Sequence, residues 1–162
     1  MADFLQFRFV PTMRCNLRCS YCFLPHSNGK ESTMFDRYSV DRWINGMNNF
    51  SDHCVEFYMW GGEPFVLDET YDLVRGFAEY DFVQWARIDS NLTYTKKIIH
   101  RCPSEKVKIP CSWHTEKFDF GQLWERVMLL KKTKHGWDGK FCRERYKYAF
   151  YRAKQFTNRI YH

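Results

Sequence analysis

No run in this chain approaches the roughly 18 consecutive apolar residues that carry a helix across a bilayer. The opening Met1-Ala2-Asp3-Phe4 likewise has neither the basic segment nor the apolar core of a secretory leader. A membrane protein and an exported protein are therefore not expected. A disulfide framework is missing too. Of the seven cysteines three crowd into positions 15–22, and Cys54, Cys102, Cys111 and Cys142 show no paired spacing. Those four read as reduced thiols, with Cys54 and Cys111 as small buried hydrophobes in strand-like runs. Over most of the chain there is also no excess of charge of one sign. Residues 1–133 carry 17 Lys and Arg against 17 Asp and Glu, while residues 134–162 carry eight basic and two acidic side chains, the whole of the net +6. That distribution speaks against a basic nucleic-acid-binding domain. What remains is a chain of 162 residues, 44% hydrophobic, long enough for one cored domain. Its cysteine usage points to a reducing, oxygen-poor compartment, the cytoplasm.

The feature that is present is the run Met13-Arg14-Cys15-Asn16-Leu17-Arg18-Cys19-Ser20-Tyr21-Cys22-Phe23. Its Cys-x3-Cys-x2-Cys spacing brings three thiolates around one inorganic centre. A structural zinc wants four protein ligands, whereas a [4Fe-4S] cluster on three thiolates keeps one iron open for a small molecule. A second segment, Gly61-Gly62-Glu63-Pro64, follows the apolar run Cys54 to Trp60. Two residues without side chains let backbone approach a ligand closely, and Glu63 sets a negative charge against an ammonium. The plain alternative is a strand-to-helix turn.

Periodicity sets both segments in one architecture. Strands are expected at Phe4 to Val10, where Leu5, Phe7 and Phe9 alternate with Gln6 and Arg8, and at Cys54 to Trp60, Phe82 to Ile88 and Val107 to Trp113. Pro110 marks the last as an edge strand. Helices are expected from the Ser39 cap through Val40, Trp43, Ile44 and Met47, and from about Asp68 through Tyr71, Val74 and Ala78. A third runs from about Thr93 to Pro103, and a fourth from the Asp119 cap through Phe120, Leu123, Trp124, Val127 and Leu130. Strands alternating with helices imply a parallel α/β sheet, with ligands gathered at the carboxyl ends of the strands. Polar residues stand at those ends: Ser90 and Asn91 after the third strand, Ser112 and His114 after the fourth. Helix capping is the competing role for Ser90 and Asn91, with Thr93 a rival cap.

The cysteine loop with Tyr21 before its last cysteine, followed in order by Gly61-Gly62-Glu63-Pro64, closely resembles the radical S-adenosylmethionine (SAM) superfamily. The resemblance implies a partial (β/α) barrel, of which about four βα units are legible here. It assigns Cys15, Cys19 and Cys22 to a [4Fe-4S] cluster whose fourth iron is chelated by SAM. Gly61, Gly62 and Glu63 fall to the SAM amino group, Tyr21 to the neighbourhood of the adenine, and Asn91, Ser112 and His114 to the ribose or carboxylate. It further implies reductive cleavage of SAM to a 5′-deoxyadenosyl radical that abstracts hydrogen, a reductant such as flavodoxin or ferredoxin, and a substrate that, from the style of the loop beginning Pro11-Thr12-Met13, is a peptide or protein. Arg14 and Arg18 flank the cluster, either tuning it or simply solvated. The family's adenine-contacting fifth strand and closing sixth strand are not recognisable. Hence a second reading stands beside the enzyme, a non-catalytic iron–sulfur or partner-binding remnant.

The sequence divides into residues 1–133, the partial radical SAM domain, and a basic, aromatic tail at 134–162. Three readings of the tail stay open: an amphipathic helix through Tyr146, Phe150 and Ala153, a surface for nucleic acid or a partner, and the product of a shifted reading frame.

Overall fold

The computed structural model describes residues 3–24 and 31–133, and every expectation for the tail lies outside them. Four strands form one sheet in the order β1-β2-β3-β4: β1 Phe4–Phe9, β2 Cys54–Met59, β3 Val83–Ile88 and β4 Val107–Lys108. Every pairing is parallel. Helices α1 Val40–Gly46, α2 Asp68–Glu79 and α3 Thr95–Arg101 lie in sequence between consecutive strands, and α4 Phe120–Lys131 follows the last. This is the α/β class and the four βα units expected of a partial barrel of the radical SAM type. Among the described residues no helix is long and apolar enough to cross a membrane.

Alternation decides which face of the sheet is buried. Val55, Phe57 and Met59 of β2 and Val83, Ala86 and Ile88 of β3 are enclosed with Leu73, Val74 and Phe77 of α2. Aromatic rings knit the layer together, since Phe57 stacks on Phe77 at 4.1 Å between centroids and lies 5.7 Å from Phe9 of β1. Each such ring withdrawn from water stabilises the fold by roughly 1.5–3 kcal/mol. The residues between them, Glu56, Tyr58, Trp85 and Arg87, stand on the opposite face.

The caps at Ser39 and Asp119 are as expected. Ser39 Oγ accepts from Arg42 N at 3.3 Å, and Asp119 forms a reciprocal capping box with Gln122. Four expectations need correction. The fourth strand does not run from Val107 to Trp113: its regular part is two residues, and beyond it only a Ser90–Cys111 bridge holds the register. Pro110, without an N–H to donate, interrupts the ladder, although its carbonyl accepts from Ser90 N at 3.0 Å. The third helix starts at Thr95 rather than Thr93, because Asn91 Oδ1 captures Thr93 N at 2.9 Å and Leu92 adopts a positive φ of 60°. Trp124 is 37% exposed instead of buried, lying beside Phe120 on the outer flank of α4. Lastly, Cys54 and Cys111 are only half-buried, being at the start of β2 and past the break in β4, whereas Cys102 is the thiol sealed in the core.

Candidate functional site

The cysteine loop leaves the carboxyl end of β1 and is fastened at its base. Pro11 O accepts from Met34 N at 3.0 Å, Thr12 Oγ1 from Arg14 N at 3.0 Å, and the Arg14 guanidinium donates twice to the Glu31 carbonyl, at 3.0 and 2.6 Å. Arg14 therefore closes the loop on itself. Arg18 bonds the carbonyls of Cys15 and Leu17. Cys15 Sγ receives Leu17 N at 3.4 Å, Cys19 is buried, and Cys22 N donates to Cys19 O at 3.2 Å. Burial pushes the Cys15 thiol up, against the pull of the Leu17 amide. Among the described residues no three His, Cys, Asp or Glu side chains come close enough to grip a single metal ion.

The glycine turn at the end of β2 rests directly on this loop. Trp60 N donates to Phe9 O at 3.1 Å, Gly62 N to Thr12 O at 3.1 Å and Glu63 N to Arg14 O at 2.8 Å, which continues the parallel pairing past the strands. Gly61 has φ of +137°, and a Cβ there would strike the Thr12 carbonyl oxygen; a Cβ on Gly62 would strike the Arg14 carbonyl oxygen. The sequence suggests that these glycines admit a ligand. What they admit in the structure is the backbone of the cysteine loop.

Glu63 ties in the third segment. Only 1% exposed, its carboxylate accepts from Phe65 N at 3.2 Å, Ser90 Oγ at 3.0 Å and Asn91 N at 2.7 Å. Burial raises its pKa to about 7, outweighing three donors that favour the charged form. Asn91 then reaches back, its side-chain amide donating to Asn16 Oδ1 at 2.8 Å between the first two cysteines. Asn16 in turn donates to Thr93 Oγ1 at 3.0 Å. Asn16 carries no motif signal, and only its place between ligand candidates pointed to it.

The fourth strand end supplies the outer wall. Ser112 N donates to Ser90 O at 3.0 Å. His114 Nδ1 lies 3.0 Å from the Tyr21 hydroxyl and 3.5 Å from Cys19 Sγ, with its ring parallel to that of Tyr21. Burial holds the His114 imidazole below its usual pKa. Glu116 receives both the backbone N–H and the hydroxyl of Ser20, which pins the outer arm of the cysteine loop to this wall and lowers the Glu116 pKa.

These segments enclose one cavity of about 350 Å³, and Cys15, Cys19, Cys22 and all seven other candidates, Tyr21, Gly61, Gly62, Glu63, Asn91, Ser112 and His114, line it. Tyr58, Trp60 and Asp89, which no motif marks, line it as well. Tyr58 Oη donates to Asp89 Oδ2 at 2.6 Å, and the Arg87 guanidinium reaches Asp89 Oδ1 at 3.3 Å. Alternation along β2 and β3 is the signal that finds them, since both residues fall opposite the core face.

No curated protein and no solved structure matches the chain. Residues 9–136 match the radical SAM superfamily, a stretch that takes in the cysteine loop, the glycine turn and every residue of the cavity wall. The chain belongs to the radical SAM superfamily.

Proposed function

We propose that the chain binds a [4Fe-4S] cluster through Cys15, Cys19 and Cys22, and SAM beside it in the same cavity, as an enzyme that generates a radical to modify a peptide or protein substrate. The observation that carries this reading is the convergence of four sequence-distant segments on one cavity. The donor set fits the cluster better than a lone metal. Three thiolates at this spacing suit a cube that gives each sulfur its own iron and leaves the fourth open. Held by Cys15, Cys19 and Cys22, the cluster would pass on an electron taken from an external reductant for reductive cleavage of SAM, the source of the hydrogen-abstracting radical.

The protein's share is placement. A carboxylate offers about four acceptor positions, and Glu63 commits three of them within the fold, leaving acceptor capacity and negative charge for the SAM ammonium. Asn91, Ser112 and His114 offer polar atoms for the ribose and carboxylate, and Tyr21 offers a ring for the adenine. Phe65, Leu92 and Ile88, buried behind this wall, exclude water from it. An electron donor such as flavodoxin or ferredoxin and a cytoplasmic setting belong to the same reading.

Anaerobic reconstitution with iron and sulfide, followed by iron and sulfide analysis and EPR of the dithionite-reduced protein, tests it. The expected outcome is a [4Fe-4S] signal that SAM perturbs, lost in the Cys15→Ala/Cys19→Ala/Cys22→Ala protein, and 5′-deoxyadenosine as product. Zinc bound stoichiometrically without sulfide would overturn the cluster assignment. A SAM-responsive cluster that yields no 5′-deoxyadenosine would leave the non-catalytic remnant.

A further inference from the structure

Asn91 is 3% exposed, and both polar atoms of its carboxamide have partners in the fold. The oxygen accepts from Thr93 N at 2.9 Å, which closes a tight turn just past β3, and the nitrogen donates to Asn16 Oδ1 at 2.8 Å. An amide nitrogen carries two hydrogens, and the same Nδ2 stands 4.0 Å from Cys15 Sγ. Leu17 N meets that sulfur from its own loop at 3.4 Å. Two N–H groups are therefore directed at Cys15, one from the loop backbone and one from a side chain 76 residues further along the chain.

The turn alone does not account for this donor. It uses only the Asn91 oxygen, and an aspartate or a serine serves such a turn as well. The nitrogen is held by a separate device. Asn16 Nδ2 donates to Thr93 Oγ1 at 3.0 Å, so Asn16, Asn91 and Thr93 form a closed ring of three bonds, and the Asn91 backbone N–H is anchored on Glu63 Oε2 at 2.7 Å. The ring fixes the orientation of the amide. Exchanging its two ends would set an N–H2 against the Thr93 N–H and a carbonyl against Asn16 Oδ1, leaving both unpaired. Leu92, between Asn91 and Thr93, takes a positive φ of 60° to make the geometry possible, a backbone that costs a non-glycine residue about 1–2 kcal/mol.

We propose that Asn91 is a positioning residue for the cluster, with its side-chain N–H kept toward Cys15 Sγ by Asn16 so that it stabilises the sulfur in the reduced state. The inference rests on the reading that Cys15 is a cluster ligand. When an external reductant gives the cluster one electron, no bond to Cys15 forms or breaks, but negative charge builds on the sulfur, and N–H groups aimed at it favour the reduced form. The Asn91 oxygen keeps a second lone pair for SAM, so the two roles do not compete.

Asn91→Ser and Asn16→Ala in the full chain separate the donor from its holder. A serine still accepts from Thr93 N but is too short to reach Asn16 or Cys15. Asn16→Ala, at an exposed position, breaks the same Asn16–Asn91 bond and leaves the donor present but loosely oriented. Without iron, sulfide or SAM, hydrogen exchange of the 91–95 segment should quicken about fivefold in Asn16→Ala, the worth of one such bond; exchange equal to the parent's would overturn the ring. After anaerobic reconstitution, EPR-monitored titration with dithionite in the absence of SAM reads the potential. Reduction should be about tenfold less favourable in Asn91→Ser, roughly 59 mV more negative for a one-electron couple, with Asn16→Ala between it and the parent. A parent-like potential in either variant would overturn the proposal, and so would a fall in Asn16→Ala as large as in Asn91→Ser, which would make loop loosening the cause. Circular dichroism checks that the fold is kept. A parent chain that forms no cluster would bring down the cluster reading along with this one, whereas a parent cluster with unshifted variant potentials refutes the Asn91 assignment alone.

Discussion

Replacing Glu63 by Gln should change how stability depends on pH more than stability itself. Glu63 has a folded pKa of about 7 against an ordinary 4.5, so between those values the native state binds a proton that the unfolded chain releases. Stability from this group is therefore complete below pH 4.5 and is lost as pH rises through 7. The shift corresponds to about 3 kcal/mol, and near-complete burial leaves little solvent screening to reduce it. Glu63→Gln abolishes the titration but sets an amide N–H2 where one oxygen accepted from Asn91 N or from Ser90 and Phe65. That mismatch costs about 1–3 kcal/mol at every pH. The variant should thus be less stable than the parent at pH 4.5 and nearly equal to it at pH 8. Urea denaturation of both proteins at several pH values is the assay, and their difference is the quantity to read, since Asp36, Asp68, Glu116 and His114 titrate in both. A difference independent of pH would refute the argument and mean that Glu63 stays ionised in the fold.

Gly62→Ala should destabilise by about 2–4 kcal/mol, because the new methyl meets the rigid Arg14 carbonyl and displacing it strains the bonds from Gly62 N and Glu63 N; a thermal midpoint unchanged from the parent would refute this. The same variant should form less cluster on reconstitution, as the turn it deforms is seated on the cysteine loop. Asp119→Ala should lose about 1 kcal/mol in urea denaturation by uncapping α4, whose first turn supports the 113–119 segment carrying His114.

The segments that line the cavity were legible in the sequence because they are written in short local signals: three cysteines at fixed spacing, a Gly-Gly-Glu turn and polar residues after strands. Periodicity likewise located β1, β2, β3, α2 and the two capped helices. It failed where backbone chemistry overrode side-chain pattern. Ile109-Pro110-Cys111 has the hydrophobicity of a strand interior, but a proline cannot donate to the ladder. Thr93 is a good cap by type, yet Asn91, bound on both sides, takes its N–H for a turn. Trp124 satisfies the helical spacing and still faces outward, because spacing defines a stripe only to within the width of a residue. The pairings of Asn16, Tyr58 and Asp89 were invisible for a different reason, even though alternation puts Tyr58 and Asp89 on the face away from the core. Each depends on a partner brought near by the crossover of strands, which no local window contains.

Glu63 and Asn91 join segments that lie far apart in the chain, and their bonds form an unbroken line from Phe65 through Glu63 and Asn91 to Asn16, with Ser90 branching from Glu63. Defects along such a line do not add. Once Glu63 has lost its acceptors, removing the Ser90 hydroxyl takes away less than it does in the parent, since only the bond it accepts from Leu92 N is left to lose. The wall segments that Glu63 and Asn91 join should accordingly open together, and a ligand that tightens one of them should protect the others from local unfolding.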